Sequence, residues 1–169
     1  MNDLVSIIIN CHNGEKFLSR CLESVINQTY ENWEIIFWDN CSTDNSAKIA
    51  KSYNDKLKYY YVDENAPLGG ARNKAILKAN GAYLTFLDCD DLYLNDTLSK
   101  LVHKIKNTRY VFCYGGVNQI DLNGNILKKV IPQNIDGNNL PYLLENFNIN
   151  VPSCIISKSF LDENILVGT

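Results

Sequence analysis

The chain has 169 residues, of which 46% are hydrophobic and 21% charged, and its 16 basic and 19 acidic residues give a net charge of -3. This length and balance predict a globular domain with its own core and exclude a disordered chain, a collagen or a coiled coil. The slight net acidity argues against a nucleic-acid binder, which needs a basic surface. The apolar run at residues 4–9 is too short for a signal peptide or a membrane helix, so we expect a soluble, cytoplasmic protein.

The six cysteines are dispersed and form no Cys-x-x-Cys pair; they stand at positions 11, 21, 41, 89, 113 and 154. Their spacing does not fit a zinc site, and a domain of this size does not need disulfides for stability, so we predict free thiols. The only histidines, His12 and His103, are too few for a histidine-rich metal centre.

Strand and helix patterns alternate over the first two thirds of the sequence. Four short apolar runs rich in β-branched and aromatic residues predict strands, at residues 4–9, 33–38, 57–62 and 82–87. Apolar residues spaced three and four apart predict the helices between and after them, at residues 17–26, 46–53, 71–79 and 94–105. Gly81 is the expected C-cap of the third helix. This alternation predicts an α/β fold with a mostly parallel central sheet and helices on both faces.

The pattern changes after a fifth predicted strand at residues 110–114. Asn123-Gly124 between two apolar runs is the strongest short signal for a β-hairpin. The remaining segments are a polar loop, a short helix and a late strand, at residues 132–139, 141–147 and 153–157. We therefore predict a nucleotide-binding α/β half over residues 1–115 and a small mixed α+β part over residues 116–169.

Polar residues follow each of the four predicted parallel strands. Ligands of open parallel sheets bind beyond the carboxyl ends of the strands, near the switch point of the strand order. Any one of these segments could be explained as turn or cap chemistry, because Asn, Asp, Gly and Ser favour turns. Four such segments on one edge of one sheet predict a ligand site, and they occupy residues 10–14, 39–44, 65–73 and 88–91.

The sequence Asp-Cys-Asp-Asp at residues 88–91 is the sharpest of these signals. Three carboxylates within four residues repel one another unless a cation or strong donors lie among them. Carboxylate oxygens suit Mg²⁺ or Mn²⁺, which are commonly shared with substrate phosphates. A solvated N-cap for the next helix is an equally good explanation of this segment on its own.

Three further side chains at this edge have both a ligand-binding and a structural interpretation. Arg72 follows Gly69-Gly70 at a predicted helix start, where its guanidinium could hold a phosphate or a base edge, or pair with a nearby carboxylate. His12 could stack on a base or hydrogen-bond within its own turn. Asp39 could accept a hydrogen bond from a ribose or a base, or close an Asx turn.

Taken together, in order and spacing, these segments resemble the family 2 inverting glycosyltransferases of the GT-A fold, in their N-terminal, nucleotide-sugar-binding portion. Each motif is weak alone, but the ordered set is specific and covers about residues 4–115. The segments that carry the resemblance are VSIIINCHN (5–13), LESVINQTY (22–30), WEII (33–36), DNCSTD (39–44), GARN (70–73) and LDCDD (87–91).

The resemblance implies that a nucleotide-diphosphate-sugar donor, expected to be a UDP-sugar, lies across the carboxyl edge of the sheet. The first loop would contact the base and ribose, the loop after the second strand would hold the base, and the arginine would reach the base or phosphates. The residues at the family's nucleotide-sugar-binding positions are Asn10, His12, Asn13, Asp39, Asn40, Arg72 and Asp88.

The resemblance further implies a divalent cation, Mn²⁺ or Mg²⁺, at the D-x-D element. Asp90 falls on the position of direct metal coordination, and Asp88 on the position that contacts the ribose or a water beside the metal. The implied reaction moves the sugar to an acceptor hydroxyl with inversion. The implied acceptors are a saccharide, a lipid-linked sugar or a protein, which would put the enzyme at the inner face of a membrane.

The sequence departs from the family pattern at three places. Asn10-Cys11-His12-Asn13 stands where the family usually has Pro-x-Tyr-Asn, so an imidazole replaces the base-stacking tyrosine. Asn40 replaces the second aspartate of the usual Asp-Asp pair. No Glu-Asp pair followed by an aromatic helix is present, so no catalytic base is assigned. This third departure leaves open the alternative of a catalytically incomplete nucleotide-sugar-binding module.

Overall fold

A computed structural model of the chain describes residues 3–53, 55–132 and 150–164. The strands are β1 (Val5–Cys11), β2 (Trp33–Asn40), β3 (Leu57–Val62), β4 (Tyr83–Phe86), β5 (Phe112–Tyr114), β6 (Val117–Ile120), β7 (Ile126–Val130) and β8 (Cys154–Ser157). The helices are α1 (Glu15–Ile26), α2 (Ser46–Lys51), α3 (Leu68–Ile76), α4 (Thr97–Lys106) and α5 (Lys158–Asn164), with a 3₁₀ turn at Val151–Ser153.

The main sheet has six strands in the order β3-β2-β1-β4-β8-β5, and β6 pairs with β7 in a separate hairpin. β3, β2, β1 and β4 are parallel, whereas β8 runs antiparallel to both β4 and β5. This arrangement confirms the predicted α/β class with a mostly parallel central sheet. The order reverses between β1 and β4, so the switch point lies where Asn10 and the carboxylate segment end their strands.

Both faces of the sheet are covered, as the continuous apolar runs predict. All seven residues of β1 are buried, and successive side chains point to opposite faces. Val5, Ile7 and Ile9 pack in the core formed with α1, α2 and α4, while Ile8 packs in a second core with α3 and α5. Burying each of these isoleucines contributes about 1.5–3 kcal/mol, so this arrangement fixes the register of β1 at the site.

The third helix lies earlier than the sequence predicts. Its range is Leu68–Ile76 rather than residues 71–79, because the extended backbone of Pro67 forms its N-cap, and Leu77 forms its C-cap. The expectation that Gly81 caps this helix is wrong. A Cβ on Gly81 would lie 2.6 Å from the Leu4 carbonyl oxygen, so glycine is required for close approach to the start of β1. The predicted helix at residues 141–147 lies outside the described residues.

A buried carboxylate ties the amino-terminal edge of the sheet together, opposite the candidate site. Glu34 of β2 accepts hydrogen bonds from Ser6 Oγ at 2.6 Å and Asn80 N at 2.7 Å, and it forms an ion pair with Lys58. Its side chain is only 7% exposed. Burial alone would raise the pKa of the Glu34 carboxyl, but the hydrogen bonds from Lys58, Ser6 and Asn80 together lower it.

Glu34→Gln is expected to lower the free energy of unfolding by about 2–3 kcal/mol at pH 7, because it leaves Lys58 without its ion-pair partner. The lowered pKa means that Glu34 stabilises the fold above its ordinary pKa of 4.5, and that this contribution is lost as pH falls through the folded-state pKa. Urea unfolding at pH 7 and pH 3 should therefore show a penalty that shrinks at pH 3. Glu31→Gln, at an exposed neighbouring position, is the control. A penalty of equal size at both pH values would contradict this role.

Candidate active site

The loops that follow β1 and β2 are locked together. The backbone N–H groups of Asn13, Gly14 and Glu15, at the start of α1, all donate to side chains of the loop after β2. Their acceptors are Ser42 Oγ at 3.0 Å, Ser46 Oγ at 2.9 Å and Asp44 Oδ2 at 3.0 Å. In return, Asn13 Oδ1 accepts from the Thr43 N–H at 2.8 Å. Asn13 has a φ of 55°, a left-handed conformation that asparagine tolerates better than most residues. The predicted nucleotide residue Asn13 thus connects two loops of the site edge.

His12 lies exposed at this edge with its ring orientation fixed. Its Nδ1 is 2.8 Å from the Asn40 carbonyl oxygen, which can only accept, so Nδ1–H is the donor. The amide of Asn13 donates to Nε2 over 3.4 Å. The imidazole therefore has a defined orientation, held where the resemblance places a stacking aromatic side chain.

Asp39 is fully buried and closes an Asx turn, as its structural interpretation predicts. Its Oδ1 accepts from the Ser42 N–H at 2.9 Å, and its Oδ2 accepts from the Tyr59 hydroxyl at 2.6 Å. Burial and this carboxylate both raise the pKa of Tyr59, which therefore stays protonated as the donor. Asp39 sets the backbone of the loop that contacts His12 and Asn13.

Asn40 holds the loop that follows β3. Its Nδ2 donates to Asn65 Oδ1 at 2.6 Å and to the Ala66 carbonyl oxygen at 2.8 Å, and its Oδ1 accepts from the Ala66 N–H at 3.1 Å. An amide satisfies this set because it both donates and accepts. A carboxylate could not donate to the Ala66 carbonyl.

The structure brings Arg72 and Asp88 into direct contact. Arg72, in the first turns of α3, donates through Nη2 to Asp88 Oδ1 at 2.6 Å, and its guanidinium lies 5.9 Å from the centre of the Phe86 ring. The ion pair is partly exposed, with the two side chains 21% and 39% accessible. Arg72 is thus held at the carboxyl end of β4, next to the D-x-D element.

The carboxylates after β4 are crowded, and Asp90 is free within the described part of the chain. A turn with a hydrogen bond from the Asp91 N–H to the Asp88 carbonyl oxygen, 2.9 Å long, gathers the three side chains. Desolvation, followed by the charges of Asp90 and Asp88, raises the pKa of Asp91 to about 6. Asp90 is exposed and makes no hydrogen bond or ion pair with any described residue.

The carboxylates of Asp88 and Asp90 suit a hard divalent cation that takes its other ligands from water and a substrate. No group of three His, Cys, Asp or Glu side chains converges as a complete metal site among the residues described. Mg²⁺ is commonly held by one or two carboxylates together with substrate phosphates, which is the number that Asp90 and Asp88 can supply. A cation would also relieve the repulsion between the Asp90, Asp88 and Asp91 charges, which adds to desolvation in raising the pKa of Asp91.

Asn10 and a tryptophan that the sequence analysis missed carry polar atoms without partners. Asn10 on β1 and Trp38 on β2 are neighbours in the strand register, at 8% and 6% exposure. Asn10 Nδ2 and Oδ1 and Trp38 Nε1 have no hydrogen-bond partner within the described part of the chain. Both side chains face α3, which carries Arg72. Because a tryptophan in a buried strand is ordinarily a core residue, the sequence does not indicate that Trp38 Nε1 lacks a hydrogen-bond partner among the described residues.

An open groove of about 380 Å³ lies beside Asp90. Phe17 and Arg20 of α1 line it, together with hairpin and loop residues Leu92, Ile120, Asp121 and Leu122. Asp121 is an acid close to Asp90, but its carboxylate accepts from the backbone N–H groups of Asn123 and Asn125 at 2.8 and 2.9 Å. The Asn125 side chain also donates to Asp121 Oδ2 at 2.9 Å. This hydrogen bond, followed by those from the backbone, lowers the pKa of Asp121, so it closes the hairpin turn rather than offering a base.

The family model described as Glycosyl transferase family 2 matches residues 6–165. The curated relatives include an Escherichia coli protein named UDP-Glc:alpha-D-GlcNAc-diphosphoundecaprenol beta-1,3-glucosyltransferase WfgD, 32% identical over 160 residues, which are 94% of this chain and 62% of the relative. An uncharacterized glycosyltransferase of Haemophilus influenzae is 38% identical over 130 residues, 75% of this chain and 52% of the relative. The chain thus spans less than two thirds of the length of these relatives.

Solved structures with the same fold include S. aureus TarS residues 1–349 in complex with UDP-GlcNAc, with a TM-score of 0.74 at 24% identity over 95% of this chain and 47% of that one. The mannosyltransferase PcManGT of Pyrobaculum calidifontis, in complex with GDP-Man and Mn²⁺, has a TM-score of 0.67 at 19% identity over 94% of this chain and 46% of that one. These similarities confirm the GT-A fold. Among the described residues, no helix has the length and apolarity needed to cross a bilayer.

Proposed function

The chain belongs to glycosyl transferase family 2, and we propose that it transfers the sugar of a UDP-sugar to an acceptor hydroxyl with inversion, in a reaction that requires Mn²⁺ or Mg²⁺. The observation that carries this proposal is the free, exposed Asp90 in a crowded carboxylate cluster beside the Arg72–Asp88 ion pair. Hard oxygen ligands and a guanidinium at the switch point of a parallel sheet are suited to a diphosphate.

The nucleotide is proposed to bind between the first loop and α3. The amide of Asn10 offers two N–H donors and an oxygen with two acceptor lone pairs, and Trp38 Nε1 offers a further donor, which matches the mixed donor and acceptor edge of a uracil ring. His12 presents a ring of fixed orientation at the edge, suited to stacking on the base. Arg72 is proposed to exchange its contact with Asp88 for one with the donor phosphates.

Asp90 would hold the cation, and Asp88 would contact the ribose of the donor or a water beside the cation. A cation held there would supply positive charge against the negative charge that develops on the departing nucleoside diphosphate. The acceptor hydroxyl is proposed to attack the anomeric carbon on the face opposite to the diphosphate and to lose its proton to a carboxylate base. None of the described residues is assigned as that base.

The acceptor is proposed to approach through the groove beside Asp90. The groove is lined by the apolar side chains of Phe17, Leu92 and Ile120 and by the basic side chain of Arg20. This mixture suits a saccharide on a lipid-linked phosphate, the acceptor class given in the name of the E. coli relative. Such an acceptor implies peripheral association with the inner face of a membrane.

A thermal-shift screen of nucleoside diphosphates and their sugars with Mn²⁺ tests the donor class. Saturating UDP at about a hundred times its dissociation constant should stabilise the fold by about 2.7 kcal/mol and raise the melting temperature by several degrees. A UDP-sugar hydrolysis assay distinguishes an active transferase from a catalytically incomplete nucleotide-sugar-binding module. Tight binding without any turnover would support the binding-module alternative, and no shift with any nucleoside diphosphate would contradict donor binding.

Asn10→Ala is expected to weaken UDP binding about tenfold without lowering the melting temperature of the unliganded protein. The amide has no partner among the residues that the structure describes, so its removal costs no hydrogen bond there, whereas the complex loses one or two. Isothermal calorimetry together with differential scanning fluorimetry measures both effects. Asn118→Ala, at an exposed position of β6, is the control. A large loss of stability with unchanged affinity would show that Asn10 serves the fold alone.

A further inference from the structure

Two thiols, one within the D-x-D element and one at the end of β1, have no part in the proposed transfer. Cys11 is the last residue of β1, and Cys89 is the central residue of the D-x-D element. The register of the parallel β1–β4 pair aligns Ile8 with Phe86. Beyond Phe86, the Leu87 N–H still donates to the Ile8 carbonyl oxygen at 3.0 Å, so the turn that carries Cys89 begins beside the end of β1.

The two sulfur atoms meet in a space that glycine keeps open. Both Sγ atoms lie 2.8 Å from the point that a Cβ on Gly14 would occupy, so the two thiols face the same small space. Because one small space holds both sulfur atoms, a small movement of the turn that carries Cys89 would bring them to the bonding distance of about 2.05 Å.

Cys89 gives an oxidant access to the pair. Its side chain is partly exposed at the site edge, whereas Cys11 is only 2% exposed. By contrast, Cys21 is buried and donates its thiol hydrogen to the Asp88 carbonyl oxygen at 3.6 Å, and burial raises its pKa.

We propose that Cys11 and Cys89 form an oxidative modification site, in which a peroxide converts the two thiols into a disulfide that disables the D-x-D element. The partly exposed Cys89 sulfur attacks one oxygen of hydrogen peroxide and breaks the O–O bond, which gives a sulfenic acid and one water. The Cys11 sulfur then displaces the hydroxyl group from Cys89, forming the S–S bond and releasing a second water. Two electrons pass from the two thiols to the peroxide.

The disulfide would act on the site through the short length of its bond. An S–S bond is about 2.05 Å long, much shorter than a contact between two hydrogen-bonded thiols, so Cys89 must move toward β1. Asp88 and Asp90 flank Cys89 in the chain and must move with it. This consequence for the cation and the nucleotide rests on the proposed function, whereas formation of the disulfide does not.

Peptide mapping tests the chemical step. The protein is treated with hydrogen peroxide, alkylated, and digested with trypsin without reductant; residues 1–16 and 79–100 are the tryptic peptides that contain Cys11 and Cys89, each as its single cysteine. We expect these two peptides to be linked and to separate after reduction. Cys89→Ser and Cys11→Ser should each abolish the link, and Cys113→Ser, a buried thiol of β5, should leave it intact. Oxidation of either thiol without this link, or a link to a different cysteine, would overturn the proposal.

UDP titration with Mn²⁺ tests the effect on the site. We expect oxidation to weaken UDP binding at least tenfold, reduction to restore it, and Cys89→Ser protein to show the same affinity before and after peroxide. Unchanged affinity in fully linked protein would overturn the regulatory effect. If the reduced protein does not bind UDP at all, the proposed function fails, while the linked peptides are still expected.

Discussion

Asp90→Asn is expected to lower the rate of UDP release from a UDP-sugar in the presence of Mn²⁺ by about a hundredfold or more. Asp90 is exposed, and its carboxylate makes no hydrogen bond or ion pair in the described part of the chain, so it can be given to a cation without breaking a contact of the fold. The asparagine keeps the size of the side chain but loses its charge. Enzyme-coupled measurement of UDP release gives kcat and kcat/KM for both proteins.

Two matched variants make this result specific. Asp55→Asn removes the same charge from an exposed position remote from the D-x-D element and should leave the rate unchanged. Asp91→Asn should have a smaller effect than Asp90→Asn, since its raised pKa of about 6 already marks it as the carboxylate least favoured in its charged form. An Asp90→Asn protein with the rate of the wild type would remove Asp90 from the reaction.

Asn40→Asp is expected to weaken UDP binding about ten- to a hundredfold, although aspartate is the usual residue of the resembling family at this position. In this chain the side chain donates to Asn65 Oδ1 and the Ala66 carbonyl oxygen. The carboxylate of an aspartate would face two acceptors, Asn65 Oδ1 and the Ala66 carbonyl oxygen. Asn65 can rotate its amide and present a donor instead, but the Ala66 carbonyl is fixed in the backbone. The loop after β3 should therefore separate from β2 at a cost of about 1–3 kcal/mol.

Calorimetry of UDP binding and a urea unfolding curve measure the two parts of this effect. Asn118→Asp adds the same charge on the exposed face of the hairpin and should change neither affinity nor stability by more than about 0.5 kcal/mol. Equal or tighter UDP binding by the Asn40→Asp protein would show that the loop after β3 is not part of the nucleotide site.

Much of the scaffold could be predicted because its signals are local. The apolar runs of β1 and β2 identify strands buried on both faces, and the order of strands and helices implies a parallel sheet whose carboxyl ends share one edge. The helix α3 was misplaced because the apolar spacing extends beyond its true end, while Pro67 defines its start. Gly81 was misread because its role depends on a contact with β1 that is distant in sequence.

The positions of the candidate site residues could be predicted from the sequence, but the hydrogen-bond partners of these residues could not. The resemblance names Asp39 and Asn40 together, yet the structure gives them different partners: Tyr59 for one, the loop at Ala66 for the other. The unpaired atoms of Asn10 and Trp38 depend on strand register and burial, which composition does not reveal. Whether each residue contacts the donor stays a prediction for the variants above.

The central claim is that Asp90 holds a divalent cation that in turn holds a nucleoside diphosphate, and calorimetric titration of UDP with and without Mn²⁺ tests it most directly. For the wild-type protein, Mn²⁺ should tighten UDP binding about a hundredfold, and for Asp90→Asn the two affinities should be nearly equal. Wild-type protein that binds UDP with the same affinity in Mn²⁺ and in a chelator would contradict the claim.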